Sequence, residues 1–192
     1  EAARQDVALS TNNDEGEDWG GMRDLDHKSQ NVQNIIKAYV RYLKDDLGYT
    51  GFRYDMVKGF AASHVADYNK AAGIEFSVGE YWDSNANIQS WIENTGKNSA
   101  AFDFQFRYNV RDAANGGNWT LLNSTNNLMH DATLRQYAVT FVENHDTEYR
   151  SASSPQDPIK KDTLAANAYL LAMPGTPCVF LKHWMDYKDE IG

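Results

Sequence analysis

The chain has 192 residues, 42% of them hydrophobic, which suffices for one packed core and is too many for a disordered segment. Lys and Arg total 18 against 27 Asp and Glu, a net charge of −9 that argues against nucleic acid as a partner, because phosphates call for a basic surface. No apolar run approaches the roughly 18 residues of a membrane span, and the single Cys178 allows neither an intrachain disulfide nor a multi-thiolate metal site.

In chain order, residues 1–28 read as a polar, acidic loop rich in Gly and Asn, with no helical or strand period. A helix follows: Val32, Ile35, Ile36, Tyr39, Val40, Leu43 and Leu47 recur at helical spacing, with Ser29 as its cap and Gly48 as its stop. An extended run from Gly51 to Asp55 leads to a second helix from Phe60 to Ala72, and a strand from Ile74 to Glu80 to a helix from Ile88 to Asn94. Strands are expected at Ala101–Phe104 and Tyr137–Val142, a helix at Lys160–Ala172, and a last strand at Cys178–Leu181, with Cys178 buried in it. Strands alternating with helices predict βαβ units on a parallel sheet. No glycine-rich phosphate loop follows any strand, so a nucleotide-binding sheet is not supported. The other parallel architecture, the (β/α)₈ barrel, takes about 250 residues, more than are present.

Ionisable groups cluster where these strands end: Arg53-Tyr54-Asp55, Val78-Gly79-Glu80 and Glu143-Asn144-His145-Asp146. Active sites of parallel βα proteins form at the carboxyl ends of strands. Any one of these carboxylates alone would be read as a helix cap. Arg53 and Asp55, two apart on a strand, face one way, and the guanidinium favours an ionised Asp55. Glu80 ends an apolar run and precedes Tyr81 and Trp82, a setting that raises a carboxyl pKa. One ionised and one protonated carboxylate is the equipment of retaining glycoside hydrolysis. Aromatic residues, 12% of the chain and including Trp19, Trp82, Trp91, Trp119 and Trp184, suit stacking on sugar rings and equally suit core packing. Asp26-His27 with His145-Asp146 would instead suit a transition-metal hydrolase.

The segments Gly51-Phe52-Arg53-Tyr54-Asp55-Met56-Val57-Lys58-Gly59, Gly79-Glu80-Tyr81-Trp82 and Phe141-Val142-Glu143-Asn144-His145-Asp146-Thr147 resemble the strand-four, strand-five and strand-seven segments of the alpha-amylase superfamily of glycoside hydrolases, in the family's order. Pro174-Gly175-Thr176-Pro177-Cys178-Val179-Phe180 is similar to its eighth strand, most closely in plant-type alpha-amylases. The resemblance implies Asp55 as nucleophile, Glu80 as general acid/base and Asp146 as transition-state stabiliser. It implies that Arg53 orients Asp55, that His145 binds sugar hydroxyls, that Lys58 lies on the leaving-group side, and that Tyr81 or Trp82 lines the cleft. Asn13-Asp14-Glu15-Gly16-Glu17-Asp18-Trp19-Gly20 and Asp24-Leu25-Asp26-His27 resemble the family's calcium loop. By that match Asp14 and Asp24 give side-chain oxygens, and Glu17 and Gly59 give carbonyls, an oxygen-only set suited to Ca²⁺.

The expected fold is α/β: a partial (β/α)₈ TIM barrel, strands four to eight, in residues 29–192, behind a calcium-loop remnant in residues 1–28. No segment matches the family's third strand or its C-terminal β-domain, so the chain is expected to be a fragment and inactive alone. The expected activity is cleavage of internal α-1,4 bonds of starch and maltooligosaccharides, with export to a secreted or periplasmic site. The alternatives are a transglycosylase or other alpha-glucosidase of the superfamily, and a fragment that only binds glucan.

Overall fold

The computed structural model describes residues 8, 10–17 and 24–191; the stretch Asp18-Trp19-Gly20 of the acidic loop lies outside them. They fall into two compact units, one within residues 1–80 and 94–99, the other within residues 81–93 and 100–192.

The first unit is built on two helices and two strands. Helix α1, Gln30–Asp45, starts after Ser29, whose side chain makes no capping bond, and stops at Gly48, where φ is +78°. Strand β1, Gly51–Tyr54, pairs in parallel with β2, Phe76–Gly79, and helix α2, Ala62–Ala72, connects them. Gly51 fits there because a Cβ would lie 2.7 Å from the carbonyl oxygen of Phe76. Val40 of α1 packs with Tyr68 and Ala72 of α2, and Ile36, Phe52, Tyr54 and Ile74 close round them. This small core fixes the register of the strands whose ends carry Asp55 and Glu80.

The second unit holds helix α3, Asn85–Asn94, which begins in it, strand β3, Ala100–Phe102, and helix α4, Phe104–Gly116. Strand β4, Ala138–Thr140, helix α5, Thr163–Ala172, strand β5, Thr176–Pro177, and helix α6, Leu181–Ile191, complete it. Strands β3, β4 and β5 pair in parallel in that order. Phe104 and Phe141 meet edge to face at 5.2 Å in a core that includes Phe106, Val110, Leu128 and Leu170, all buried.

Three expectations fail here. Phe104 opens α4 instead of closing a strand, because Asp103 caps it by accepting the Phe106 amide at 3.1 Å. The last strand ends at Pro177, and Leu181 starts α6. Cys178 is exposed and lies outside that strand, although its amide still donates to Thr140 at 2.8 Å. Among the described residues no helix is long and apolar enough to cross a membrane.

Candidate active site

Period two along β1 puts Arg53 and Asp55 on one side, and the structure joins them: Arg53 Nη1 donates to Asp55 Oδ1 at 2.6 Å. The same guanidinium reaches the neighbouring strand end, with Nη2 3.0 Å from Glu80 Oε1. Past Asp55 the chain turns through Met56, held in the left-handed region at φ +47°, and this aims the Met56 amide at Glu80 Oε2, 3.2 Å away. A non-glycine residue in that conformation costs about 1–3 kcal/mol and is found where function demands it.

The two carboxylates differ in setting. The Asp55 side chain is 70% exposed, whereas that of Glu80 is 6% exposed. Burial pushes the Glu80 carboxyl above the usual range, the Met56 amide and Arg53 pull it back, and nearby Asp55 pushes it up again. A buried acid whose pKa is pushed up, beside an exposed, cation-paired carboxylate, is an arrangement in which one group can protonate a leaving oxygen while the other attacks carbon. Behind them, the Tyr54 hydroxyl donates to Asn69 Oδ1 at 3.0 Å, and Asn69 Nδ2 donates to Ser77 Oγ at 2.7 Å. One amide thus ties the residue before Asp55 to the strand that carries Glu80.

His145 and Asp146 belong to the second unit, on a turn that Asn144 builds. Asn144 Oδ1 accepts the Asp146 and Thr147 amides, both at 3.0 Å, and the Asn144 amide donates to Thr147 Oγ1 at 3.0 Å. Asp146 meets His145 Nε2 at 3.1 Å and Arg150 Nη2 at 2.9 Å. Sequence reasoning passed over Arg150, whose signal was its place four residues after Asp146. It also missed Met56, Asn69 and Asn144, whose parts are conformational. Tyr81 lies against Trp91 with ring centroids 6.0 Å apart. Trp82 stacks on Phe104 at 4.7 Å, and its indole N–H donates to Tyr108. Trp82 is therefore fixed by packing on one face.

The acidic loop closes on the segment after Asp55. Gly16 lies so near the backbone of Lys58 and Gly59 that no Cβ could be accommodated, and the Glu17 amide donates to the Lys58 carbonyl at 2.9 Å. Asp24 approaches the same place, with Oδ2 3.5 Å from where a Gly59 Cβ would stand. Asp14 turns inward on its own loop, accepting the Glu15 and Gly16 amides at 2.6 and 3.1 Å. Lys58 pairs with Glu17 at 2.7 Å, so its ammonium points toward the loop. Among the described residues no three His, Cys, Asp or Glu gather as a metal site. Asp24, Gly16 and Glu17 do approach Gly59, so that the Asp24 carboxylate stands near backbone carbonyls, oxygen donors of the kind hard cations take, while the Glu17 carboxylate is held by Lys58. His27 is buried, stacked on Phe60 at 4.3 Å, with Nδ1 bonded to the Tyr68 hydroxyl at 2.7 Å.

The alpha-amylase catalytic-domain family matches residues 17–190. Probable alpha-amylase 2 of Arabidopsis thaliana is 35% identical over 94% of this chain and 47% of its own length. A glucan 1,4-alpha-maltotetraohydrolase of Roseateles saccharophilus is 29% identical over 88% of this chain and 33% of its own. The chain thus spans less than half the length of these relatives. Among solved structures, an alpha-amylase of Malbranchea cinnamomea superposes with a TM-score of 0.66 at 19% identity, covering 85% of this chain and 34% of that one.

Proposed function

This chain belongs to the alpha-amylase family of glycoside hydrolases, and we propose that it supplies the reacting carboxylates for retaining cleavage of internal α-1,4-glucosidic bonds in starch-like glucans. In this reading β1 to β5 are strands four to eight of a (β/α)₈ barrel, and residues 1–28 are the remnant of its calcium loop. The observation that carries the reading is the single guanidinium of Arg53 on both Asp55 and Glu80, one exposed and one buried. Asp55 attacks the anomeric carbon while Glu80 protonates the leaving oxygen; Glu80 then takes a proton from the water that releases the glycosyl-enzyme. Asp146, oriented by His145 and Arg150, stabilises the cationic transition state. His145 binds sugar hydroxyls beside the scissile bond, Tyr81 and Trp82 line its flanks, and Lys58 reaches the leaving-group side by exchanging its Glu17 partner for substrate.

Ca²⁺ belongs to the same proposal. Asp14 and Asp24 would hold it with the carbonyls of Glu17 and Gly59, and its charge would neutralise the acidic loop against the segment that follows Asp55. With a polymeric glucan as substrate, the proposed place of work is outside the cell, secreted or periplasmic.

The test is Asp55→Asn in an active catalytic domain carrying this sequence, assayed on soluble starch with the anomer of the first product read by NMR. Turnover should drop about 10⁴-fold or more, as when one member of a concerted unit is lost. Undiminished turnover, or an inverted first product, would sink the mechanism. A product profile from maltoheptaose separates hydrolysis from transglycosylation.

A further inference from the structure

Glu143 takes no part in the chemistry above, yet its side chain is 8% exposed and both its oxygens are engaged. Oε1 accepts the Ile159 amide at 2.7 Å, and Oε2 lies 3.0 Å from Nε2 of His183 on α6. The other ring nitrogen of His183 is 3.1 Å from Asn167 Nδ2 on α5. Asn167 Nδ2 also donates to the Thr163 carbonyl at 2.8 Å. Because that amide can only donate, His183 Nδ1 accepts, and Nε2 carries the proton it gives to Glu143. The edge contact of Phe180 on His183, with centroids 5.5 Å apart, closes the pocket. A buried carboxylate without such partners is strongly destabilising, so the arrangement holds Glu143 in one place.

On the far side of the turn, Glu148 pairs with Lys182 of the same helix. Residues 144–147, which present His145 and Asp146, are therefore bracketed by a buried hydrogen bond and an ion pair onto consecutive residues in the first turn of α6. The Glu148 pair is half in solvent and contributes little by itself. The Glu143 pair is the enclosed one.

We propose that Glu143 and His183, backed by Asn167, are positioning residues: α6 clamps the turn that carries His145 and Asp146 through them. The role assigned to Asp146 rests on the proposed function; the clamp itself does not.

The experiment compares His183→Phe, which keeps the ring volume but removes the donor, with His183→Gln, whose amide can still donate to Glu143. Amide exchange is read at Asp146 and Thr147, with Val110 in α4 as the reference, in the whole chain. Exchange at the turn should quicken about tenfold or more in His183→Phe, with Val110 little changed, and return toward wild type in His183→Gln. Turn exchange that follows Val110 in every variant overturns the clamp. Should His183→Phe not fold, Glu143→Asp, one methylene short, carries the same comparison. In an active catalytic domain, His183→Phe should lower kcat on maltoheptaose about tenfold with KM almost unmoved, because Asp146 acts on the transition state; lost packing alone would leave kcat per folded molecule intact. Activity lost in Asp146→Asn but retained in His183→Phe refutes the clamp's part in catalysis. Activity untouched in Asp146→Asn refutes the proposed function, and the exchange data still decide the clamp.

Discussion

At the residue scale the candidate site depends on how Arg53 divides itself. One guanidinium holds Asp55 in position and also draws the Glu80 carboxyl down against the upward push of burial. Removing it has a signed consequence. In Arg53→Gln the downward pull on Glu80 is gone, so its carboxyl moves further up and stays protonated to higher pH. On the proposed role of Glu80, the descending alkaline limb of kcat/KM reports loss of its proton and should therefore shift to higher pH. The maximal rate should fall about 10²-fold, because Asp55 loses its 2.6 Å partner and with it the orientation for attack. A pH–rate profile in the variant that keeps the wild-type alkaline limb would dissociate Arg53 from Glu80. The Arg53–Asp55 pairing was legible in the sequence, since period two on a strand dictates it. The left-handed Met56 was not, because a side chain with a free choice of backbone gives no sign of the one it is forced into.

At the level of elements, α4 shows why legibility runs out. Its buried face is Phe104, Arg107, Val110 and Ala114, spaced as a helix requires, but the second member is a cation that reads as a surface residue. Arg107 is fully buried because Asp157 receives it, together with Arg111. That partner lies 50 residues on, beyond any local pattern. Helix α6 inverts the code in the same way: His183 faces inward, while Leu181, Trp184 and Met185 are exposed. The βαβ alternation survived such exceptions because it rests on longer apolar runs. The cap of α4 yields a prediction. Asp103 is fully buried, and burial raises its carboxyl to about 6 against the opposing amides of Phe106, Met129 and Leu128. The unfolded chain gives up this proton near pH 3.8, before the folded one does. The native state therefore binds more protons across that window, and the stability contributed by Asp103 is present below pH 3.8 and lost as pH rises toward about 6. The loss amounts to about 3 kcal/mol. Urea unfolding of wild type and Asp103→Asn at a series of pH values isolates it: the decline between pH about 4 and 6 should be shallower in the variant. Parallel curves would refute the buried-acid account.

On the scale of the whole molecule, burial and binding must together hold a chain that spans less than half of its relatives. On α1, Ile35, Tyr39 and Tyr42 are 59%, 58% and 50% exposed, three and four residues apart on one face. Covering the exposed half of each of these side chains returns about 1 kcal/mol, so the 192-residue chain should self-associate as its concentration rises. Light scattering should show the mass falling in Ile35→Glu/Tyr39→Lys; an unchanged mass would place the contact elsewhere. The acidic loop offers a second source of stability. Gly16 and Glu17 already lie against the Lys58–Gly59 backbone, and Asp24 flanks the same point, so a cation there would tie three stretches together. Only the folded chain brings these stretches together, so Ca²⁺ should bind it in preference to the unfolded chain. At about a hundredfold excess over Kd this adds about 2.7 kcal/mol, or roughly 5–10 °C in Tm for a chain of this size. Mg²⁺ should act more weakly, because the loop offers an irregular oxygen set where that ion requires a tight octahedron. Asp24→Asn keeps the side chain's shape and its acceptor for the Leu25 amide, but gives up the charge. Its melting temperature should no longer respond to Ca²⁺ or to chelator. A wild-type chain indifferent to both, or an Asp24→Asn variant that still responds in full, would leave the loop as an acidic surface packed on Gly59 and nothing more.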